Sequence, residues 1–256
     1  MPSELILFTF VVVFLYGLCI GSFLNVCIYR IPKKENIAAN RSHCMSCEHT
    51  LKWYDLVPLF SYLFLRGRCR YCGVKISVQY PLVEALNGLG YVFVFFVNGI
   101  NLTSILFCLC LSALIVLSVI DWRTYEIPIG INIFIFALGV IRAALDYANI
   151  VEYVLGFISV SGFLYILVLA TKGRAMGGGD VKLMAASGLL LGVWNIVLAL
   201  IIGCIVGSII HIVRMKYFNA DNRLAFGPYL SVGIFTAMLF GETVITWYLS
   251  LFNIWI

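Results

Sequence analysis

Long apolar stretches separated by short polar segments run along almost all of this 256-residue chain. A helix needs about 20 apolar residues to cross a bilayer, and most of the stretches approach or exceed that length. The pattern predicts an all-α polytopic membrane protein with about eight transmembrane helices. The apolar runs occupy residues 5–29, 82–98, 102–120, 129–146, 152–170, 183–194, 196–213 and 229–252.

Seven of these runs are long enough to span, whereas 183–194 is too short unless its helix begins at Gly179. Seven spans is therefore the alternative count. Nine of the 17 Lys and Arg residues lie in the polar segment 30–81, and with eight spans all the others except Arg142 fall on the same side. The positive-inside rule makes that side cytoplasmic and puts the N-terminus outside. Seven spans would send the last basic cluster across the membrane, so the charges favour eight.

The composition agrees with a bilayer environment. Hydrophobic residues make up 62% of the chain and charged residues 11%, against about 25% charged residues in soluble domains. The net charge of +5 follows from the topology, and we expect no nucleic-acid partner. The first run lacks a basic n-region and a small-residue cleavage site, which favours a retained span over a signal peptide. Together these features predict a multi-pass membrane protein, and its location in the bacterial cytoplasmic membrane is what the family resemblance described below implies.

We expect three parts: a first transmembrane helix over residues 1–29, a cytoplasmic insert over 30–81, and a helical membrane body over 82–256. The insert contains a weak internal repeat. In each half a C-x2-C pair precedes an apolar residue and then a Pro-Leu dipeptide, as in Pro58-Leu59 and Pro81-Leu82. Each half therefore has the pattern of a short cysteine knuckle followed by a more apolar segment.

The two C-x2-C pairs predict a metal site within the insert. Thiolates two residues apart can hold one zinc ion from a tight turn, and two such turns complete a tetrahedron. A redox role and the absence of any metal remain alternatives, while disulfides are disfavoured in a reducing cytoplasm. Either His43 or His49 can replace a cysteine as ligand, although solvated loop histidines are the simpler interpretation. The four candidate ligands are Cys44, Cys47, Cys69 and Cys72.

Two aspartates stand at the edges of apolar runs. Asp121 directly follows the run 102–120, and Asp180 closes the stretch Met176-Gly177-Gly178-Gly179-Asp180. A carboxylate near the hydrocarbon boundary is costly, and two of them brought together can share one proton and activate a water. The structural alternatives are a boundary charge at Asp121 and an N-cap at Asp180 for a helix starting at Val181.

Three other polar residues near the membrane face leave alternatives open. Lys182 either pairs with an aspartate or extends to lipid headgroups. Glu84 and Glu242 are the remaining acids at comparable depth. We expect Glu84 at the cytoplasmic start of the second span and Glu242 within the last.

Several motifs occur in one order along nearly the whole chain, and this ordered set resembles the type IV prepilin peptidases. A lone G-x-G-D would be weak, but the set has no departure at any motif position. The motifs are Gly21-Ser22-Phe23-Leu24-Asn25-Val26, Tyr29-Arg30-Ile31-Pro32, the two C-x2-C pairs, Tyr80-Pro81-Leu82-Val83-Glu84, Asp121 with Ile127-Pro128, Gly177-Gly178-Gly179-Asp180-Val181-Lys182, and Phe226-Gly227-Pro228.

The resemblance implies a membrane aspartic protease of the G-x-G-D type with Asp121 and Asp180 as its catalytic pair. Such enzymes remove the basic leader of prepilins or pseudopilins after a Gly at the cytoplasmic face. They then methylate the new N-terminal amine with S-adenosylmethionine. The resemblance directs the methyl donor to the insert and its junctions, around Gly67 and Glu84, without individual contacts. It also implies structural zinc on the four cysteines.

Two functions of other classes remain as alternatives. The chain can be an ion-coupled carrier whose aspartates bind protons or cations at a broken helix, as the Gly-rich tract before 183–194 suggests. Against this, both acids lie at one face of the membrane, and no matched pair of broken helices is evident. The third possibility is a non-catalytic assembly protein with a zinc loop, which leaves the two aspartates unexplained. The oligomeric state is left open.

Overall fold

The computed structural model describes residues 3–38, 41–174, 176–218 and 224–251. Nine α-helices lie within those ranges, and two short 3-10 helices cover Trp53–Asp55 and Tyr147–Asn149. The only extended pairing there consists of two isolated bridges. The α-helices are α1 Ser3–Arg30, α2 Phe60–Phe64, α3 Gln79–Asn98, α4 Leu102–Thr124, α5 Ile129–Leu145, α6 Ile150–Thr171, α7 Gly178–Leu191, α8 Val193–Phe218 and α9 Gly227–Ser250.

The all-helical prediction is confirmed, since each of the eight apolar runs corresponds to one α-helix outside the insert. Six of these helices are long and apolar enough to cross a membrane. Two are shorter: α7 has 14 residues, as the short run led us to expect, and α5 has only 17. At 1.5 Å per residue α5 reaches about 26 Å, which is at the lower end of the length of a transmembrane helix.

The boundary between α7 and α8 differs from the sequence pattern. The pattern predicts a break at Asn195, but α7 ends at Leu191 and the chain turns at Gly192, whose φ is +83°. A left-handed backbone at this position suits glycine because it has no Cβ. Asn195 instead lies inside α8, where its side-chain amide donates to the Leu191 carbonyl at 3.1 Å. A polar residue in an apolar run therefore did not mark a helix end.

By packing, the chain divides into two units, one up to Ile100 and the other from Asn101 onwards. The first unit contains α1, the insert and α3. Its two long helices pack closely, and Asn87 of α3 donates its side-chain amide to the Gly17 carbonyl of α1 at 2.7 Å. The functional division at residues 29 and 81 stays a prediction.

In the second unit, α4 is the most enclosed of the helices that are long enough to cross a membrane. Leu114, Leu117 and Ile120 are fully buried, and they bring the last turn of α4 into the interior of the unit. Other helices expose apolar stripes, as expected for lipid-facing surfaces. On α8 the exposed stripe consists of Ile201, Ile205, Ile209 and Ile212.

Candidate active site and metal centre

Asp121 lies in the last turn of α4, three residues before the helix ends at Thr124. Tyr125 closes the helix in the left-handed conformation, with φ 56°. Pro128 is the N-cap of α5, so the tract from Asp121 to Pro128 forms the predicted helix end and short turn. The burial of Asp121 differs from that of an ordinary boundary charge, because only 4% of the residue is exposed.

The buried carboxylate of Asp121 has a backbone partner from a distant part of the chain. Its Oδ2 accepts a hydrogen bond from the Gly227 N–H at 2.9 Å, at the start of α9. This approach requires glycine, since a Cβ at residue 227 would lie 2.7 Å from the same oxygen. The Phe226-Gly227-Pro228 motif therefore belongs to the surroundings of Asp121, a link that its sequence position does not reveal.

Asp180 occupies the first turn of α7. The helix begins at Gly178 with Gly177 as its N-cap, one residue before the start at Gly179 that the sequence allowed, so the alternative of Asp180 as N-cap to a helix starting at Val181 is wrong. Asp180 is thus the third helical residue and not the cap. The reason is that the glycines themselves adopt helical backbone geometry. The side chain is buried, with 8% of the residue exposed.

The fold brings the two aspartates of the second unit together. The charge of Asp121 reaches the Asp180 carboxyl, and the turn after α4 packs on the residue before Asp180, since a Cβ at Gly179 would lie 3.0 Å from the Ile127 Cβ. They come from the C-terminal end of α4 and the N-terminal end of α7, 59 residues apart in sequence. Two buried carboxyls in this arrangement can share a proton, polarise a carbonyl and activate a water.

Asn132 of α5 is a buried neighbour of the Gly-rich tract that the sequence analysis did not identify. Its side-chain amide donates to the Gly179 carbonyl at 3.4 Å, directly before Asp180. No described group bonds its Oδ1. Ile127 packs on the same tract, since a Cβ at Gly179 would lie 3.0 Å from the Ile127 Cβ. The sequence signal for Asn132 was only a polar residue in an apolar helix.

The other polar candidates lie elsewhere. Lys182 is exposed and forms no ion pair within the described ranges, which favours the extended side chain over pairing with an aspartate. Glu242 lies in α9 with an exposed side chain. Glu84 is buried, but it belongs to the first unit.

In the insert, the structure brings the four predicted cysteines together. One ligand atom from each of Cys44, Cys47, Cys69 and Cys72 lies within 4.8 Å of all the others. The Cys44 and Cys72 sulfurs are 3.8 Å apart. In a tetrahedral zinc site, Zn–S bonds of about 2.3 Å place the sulfurs about 3.8 Å apart. The spacing of the four sulfurs therefore fits one zinc ion bound by four thiolates.

The two cysteine knuckles have the same backbone hydrogen bonds, which confirms the internal repeat. In the first, the Cys44 N–H donates to the His49 carbonyl at 3.0 Å. In the second, the Cys69 N–H donates to the Val74 carbonyl at 2.9 Å. Each knuckle also has one residue with a positive φ, four positions after its first cysteine. These residues are Glu48, with φ 56°, and Gly73, with φ 72°.

Two thiols of the cluster have pKa values that move in opposite directions. The Val74 N–H acts to lower the pKa of Cys72, but burial and hydrogen bonds with the other three cysteines raise it to about 12. The backbone N–H groups of Ser46 and Cys47 lower the pKa of the Cys44 thiol to about 6. A thiolate is the form that binds metal. Neither histidine belongs to the four-ligand group, because the His49 ring stacks on Tyr71 and His43 Nδ1 lies 3.3 Å from the Arg41 carbonyl.

Asp55 links the segment between the knuckles to the second knuckle. Its carboxylate accepts hydrogen bonds from Arg70 Nε at 2.7 Å and from the Tyr71 hydroxyl at 3.3 Å. Burial acts to raise the pKa of Asp55, but the Arg70 hydrogen bond and charge outweigh it and hold the pKa below its ordinary value. The insert is thus held by local polar contacts as well as by the cysteine cluster.

Two protein-family models match this chain, one over most of the first unit and the other over much of the second. Residues 15–98 match the Bacterial Peptidase A24 N-terminal domain, and residues 108–212 match the Type IV leader peptidase family. A prepilin leader peptidase/N-methyltransferase of Aeromonas salmonicida is 31% identical, with 94% of each chain covered. The chain belongs to the prepilin leader peptidase family.

Other members of the prepilin leader peptidase family match over similar lengths. The Bacillus subtilis relative is 32% identical over 94% of this chain and 98% of its own. The Legionella pneumophila relative is 30% identical over 95% of both chains. Both carry the name prepilin leader peptidase/N-methyltransferase. No solved structure matches the chain.

Proposed function

We propose that this protein is a membrane aspartic endopeptidase that removes the basic leader of type IV prepilins or pseudopilins after a Gly. It then methylates the new N-terminal amine with S-adenosylmethionine. The observation that supports cleavage best is the buried pair of aspartates from α4 and α7, with a backbone N–H on one of them. The names of the relatives support the substrate class and the second activity.

The geometry supports specific roles for the two carboxyls. Asp121 uses Oδ2 to accept the Gly227 N–H, which leaves Oδ1 to bind a water or the scissile carbonyl. The charge of Asp121 acts on the Asp180 carboxyl, so in this mechanism the two groups would share one proton. One aspartic acid then polarises the carbonyl while the neighbouring aspartate takes a proton from the attacking water. The glycines before Asp180 leave room for an extended substrate backbone.

The position of the two aspartates at helix ends also suggests how a prepilin would lie relative to the membrane. A prepilin has a basic leader followed by an apolar helix, so its helix would lie in the bilayer with the junction at the membrane face. We place that face, with the insert, on the cytoplasmic side, and the N-terminus outside, because the Lys and Arg residues collect there. Labelling single cysteines in inverted vesicles with a membrane-impermeant maleimide tests this orientation.

The insert would hold one structural zinc ion on its four cysteines. Four thiolates close the coordination sphere, so this ion would organise the insert and take no part in hydrolysis. The distances between the sulfurs support this assignment. The ion-coupled carrier is less well supported, since the chain belongs to a family of leader peptidases and its two acids lie at helix ends.

The decisive test of cleavage compares wild type with Asp121→Asn and Asp180→Asn on a co-expressed or synthetic prepilin. Each variant should lose at least about a thousandfold in cleavage, because an amide cannot share or transfer the proton. Both should still fold, insert and hold zinc. Cleavage that persists in either single variant would rule out the pair.

Product masses recorded with and without S-adenosylmethionine test the second activity. Methylation adds about 14 Da to the mature product only when the donor is present. Cleavage without that shift would leave a peptidase alone. Wild type that is folded and zinc-loaded, yet cleaves none of several prepilins, would favour the carrier.

A further inference from the structure

Four large apolar side chains of the insert lie on its surface. The helix α2 has five residues, and Phe60, Leu63 and Phe64 share one of its faces because they are three or four positions apart. Leu63 is 69% exposed and Phe64 is 84% exposed. Trp53, on the 3-10 helix that packs against α2, is 80% exposed. We call Trp53, Phe60, Leu63 and Phe64 the apolar face, and an exposed patch of this kind marks an interaction site.

The other side of α2 supplies the contacts that build the insert. The Tyr62 hydroxyl donates to the Ile76 carbonyl at 3.4 Å, and a Cβ at Gly67 would lie 2.8 Å from the same hydroxyl. Ser61 donates its hydroxyl to the Val57 carbonyl at 2.8 Å. The fold of the insert therefore does not require the apolar face, and the outward position of these side chains needs another explanation.

The start of α2 is held beside a membrane-spanning helix. Glu84 of α3 is buried, and its Oε2 accepts the Leu59 N–H at 2.8 Å. Ser22 of α1 adds a second hydrogen bond, and no described cation neutralises the carboxylate. Leu59 has a φ of 60°, which is costly for a bulky residue, so Glu84 stabilises a strained turn directly before α2. The position of α2 is thus fixed relative to α3.

This hydrogen bond sets the level of α2 along the membrane normal. The helix α3 begins at Gln79 and is long and apolar enough to cross a membrane. Glu84 lies about 7.5 Å along its axis, at 1.5 Å per residue. The apolar run of α3 begins only two residues before Glu84, at Leu82. We therefore expect α2 to begin at the level where this span enters the bilayer.

The charges beside the apolar face are positive. Lys52 directly precedes the 3-10 helix, and Arg66 and Arg68 follow α2. All three are exposed, and none of them forms an ion pair within the described part of the chain. Asp55 is the only acid in residues 52–68, and its buried side chain is bound to Arg70. An apolar face flanked by free cations complements a bilayer surface with anionic headgroups.

We propose that the apolar face lies in the headgroup region of the bilayer and that Lys52, Arg66 and Arg68 bind anionic lipid there. A five-residue helix alone would bind a membrane weakly, but the insert is joined at both ends to spanning helices. Docking is then an event within one molecule, with a high effective concentration of lipid surface. Neither of the two proposed enzymatic activities is needed for this contact.

Photocrosslinking of the full-length protein in lipid nanodiscs tests the contact. The variant Phe64→p-benzoylphenylalanine carries a photoreactive group on the apolar face, and the intact mass after irradiation reports what the group touches. In nanodiscs of equal parts phosphatidylcholine and phosphatidylglycerol, this variant should gain the mass of one lipid. The matched control is Thr50→p-benzoylphenylalanine, at an exposed residue among Arg41, His43 and Glu48. Its lipid adduct should be at least about tenfold weaker.

Fluorescence of Trp53 gives a second measurement without an introduced group. The difference between wild type and Trp53→Phe isolates the emission of Trp53 from that of the other tryptophans. Nanodiscs whose lipids are brominated near the headgroup should quench most of this difference, because aromatic side chains at the membrane boundary lie at headgroup level.

The double variant Arg66→Gln with Arg68→Gln tests the charges. The lipid adduct at residue 64 should fall about fivefold or more in the mixed nanodiscs and change little in phosphatidylcholine alone. Arg41→Gln removes another exposed arginine of the insert and should leave the adduct unchanged. Limited proteolysis shows that the insert of each variant is still folded.

The results separate the possible occupants of the apolar face. A crosslink from residue 64 to another part of the chain, to a second copy or to an added prepilin, without a lipid adduct, would overturn the proposal. Equal lipid adducts at residues 50 and 64, or an unquenched Trp53, would overturn it as well. An adduct that is independent of phosphatidylglycerol would overturn the role of the three cations and support the apolar contact alone.

Discussion

The insert of the first unit and the aspartate site of the second are built in opposite ways. In the insert, each half of the cysteine cluster is contained in a knuckle of a few residues with its own backbone hydrogen bonds. The aspartate site needs the end of α4, the start of α7 and the start of α9, which lie far apart in sequence. The comparison teaches that local motifs indicate residue types reliably, whereas the partners of a buried site come from packing.

The largest effect that separates the two regions should come from Gly227→Ala. The added Cβ would lie 2.7 Å from Asp121 Oδ2 and 3.0 Å from Leu117 Cδ2, so either the carboxylate or α9 must move. We expect cleavage to fall by about a hundredfold or more, because small displacements of catalytic groups have effects of that size. Single-turnover cleavage of a prepilin measures this, while zinc content should not change.

Gly130→Ala is the matched control, since a Cβ there meets nothing within 4 Å and the residue lies in α5 of the same unit. It should cleave like wild type. If Gly227→Ala also cleaves like wild type, the close approach of α9 to Asp121 is not needed for activity.

The converse perturbation is Cys44→Ser in the insert. Loss of one thiolate should reduce bound zinc from about one ion per chain to nearly none, because three sulfurs hold the ion far less tightly. The insert should then become sensitive to proteases, while Asp121 and Asp180 remain in place in the second unit. Metal analysis and limited proteolysis measure the two effects.

Cys204→Ser is the control for that experiment, because Cys204 is a free thiol on α8 outside the cluster. It should keep its metal. An unchanged zinc content in Cys44→Ser would rule out the proposed ligand set.

A smaller effect should follow from Asn132→Leu, which tests whether the Gly-rich tract is positioned from α5. The variant loses the hydrogen bond to the Gly179 carbonyl, and we expect about a tenfold fall in kcat with little change in KM. Thermal stability should not fall, because the change also removes a buried oxygen without a described protein partner. Kinetics and thermal unfolding measure the two quantities separately.

Asn195→Leu removes a comparable amide, which bonds the Leu191 carbonyl near the other end of α7. It should leave kcat unchanged. Equal losses of kcat in both variants would mean that Asn132 acts through general packing and not on the tract before Asp180.

Much of the architecture could be predicted because bilayer-length apolar runs and basic loops leave few alternatives. The helix ends were less predictable. Asn195 resembled a break but lies inside α8 and donates to the Leu191 carbonyl at the end of α7. The turn lies instead at Gly192, whose φ of +83° is a backbone conformation that suits glycine. Likewise the start of α7 was left open between Gly179 and Val181, and the structure puts it at Gly178, since glycine is a poor helix former whose conformation here is set by packing.

The sequence by itself determined the helical membrane class, the four cysteines and the two aspartates, because hydropathy and short-range spacing are properties of the chain alone. Only the tertiary structure decided which backbone N–H meets Asp121, that Asn132 bonds the carbonyl before Asp180, and that Glu84 is buried without a described cation. These facts depend on helices that are distant in sequence. Their contacts arise from side-chain packing, which no local pattern of residues records.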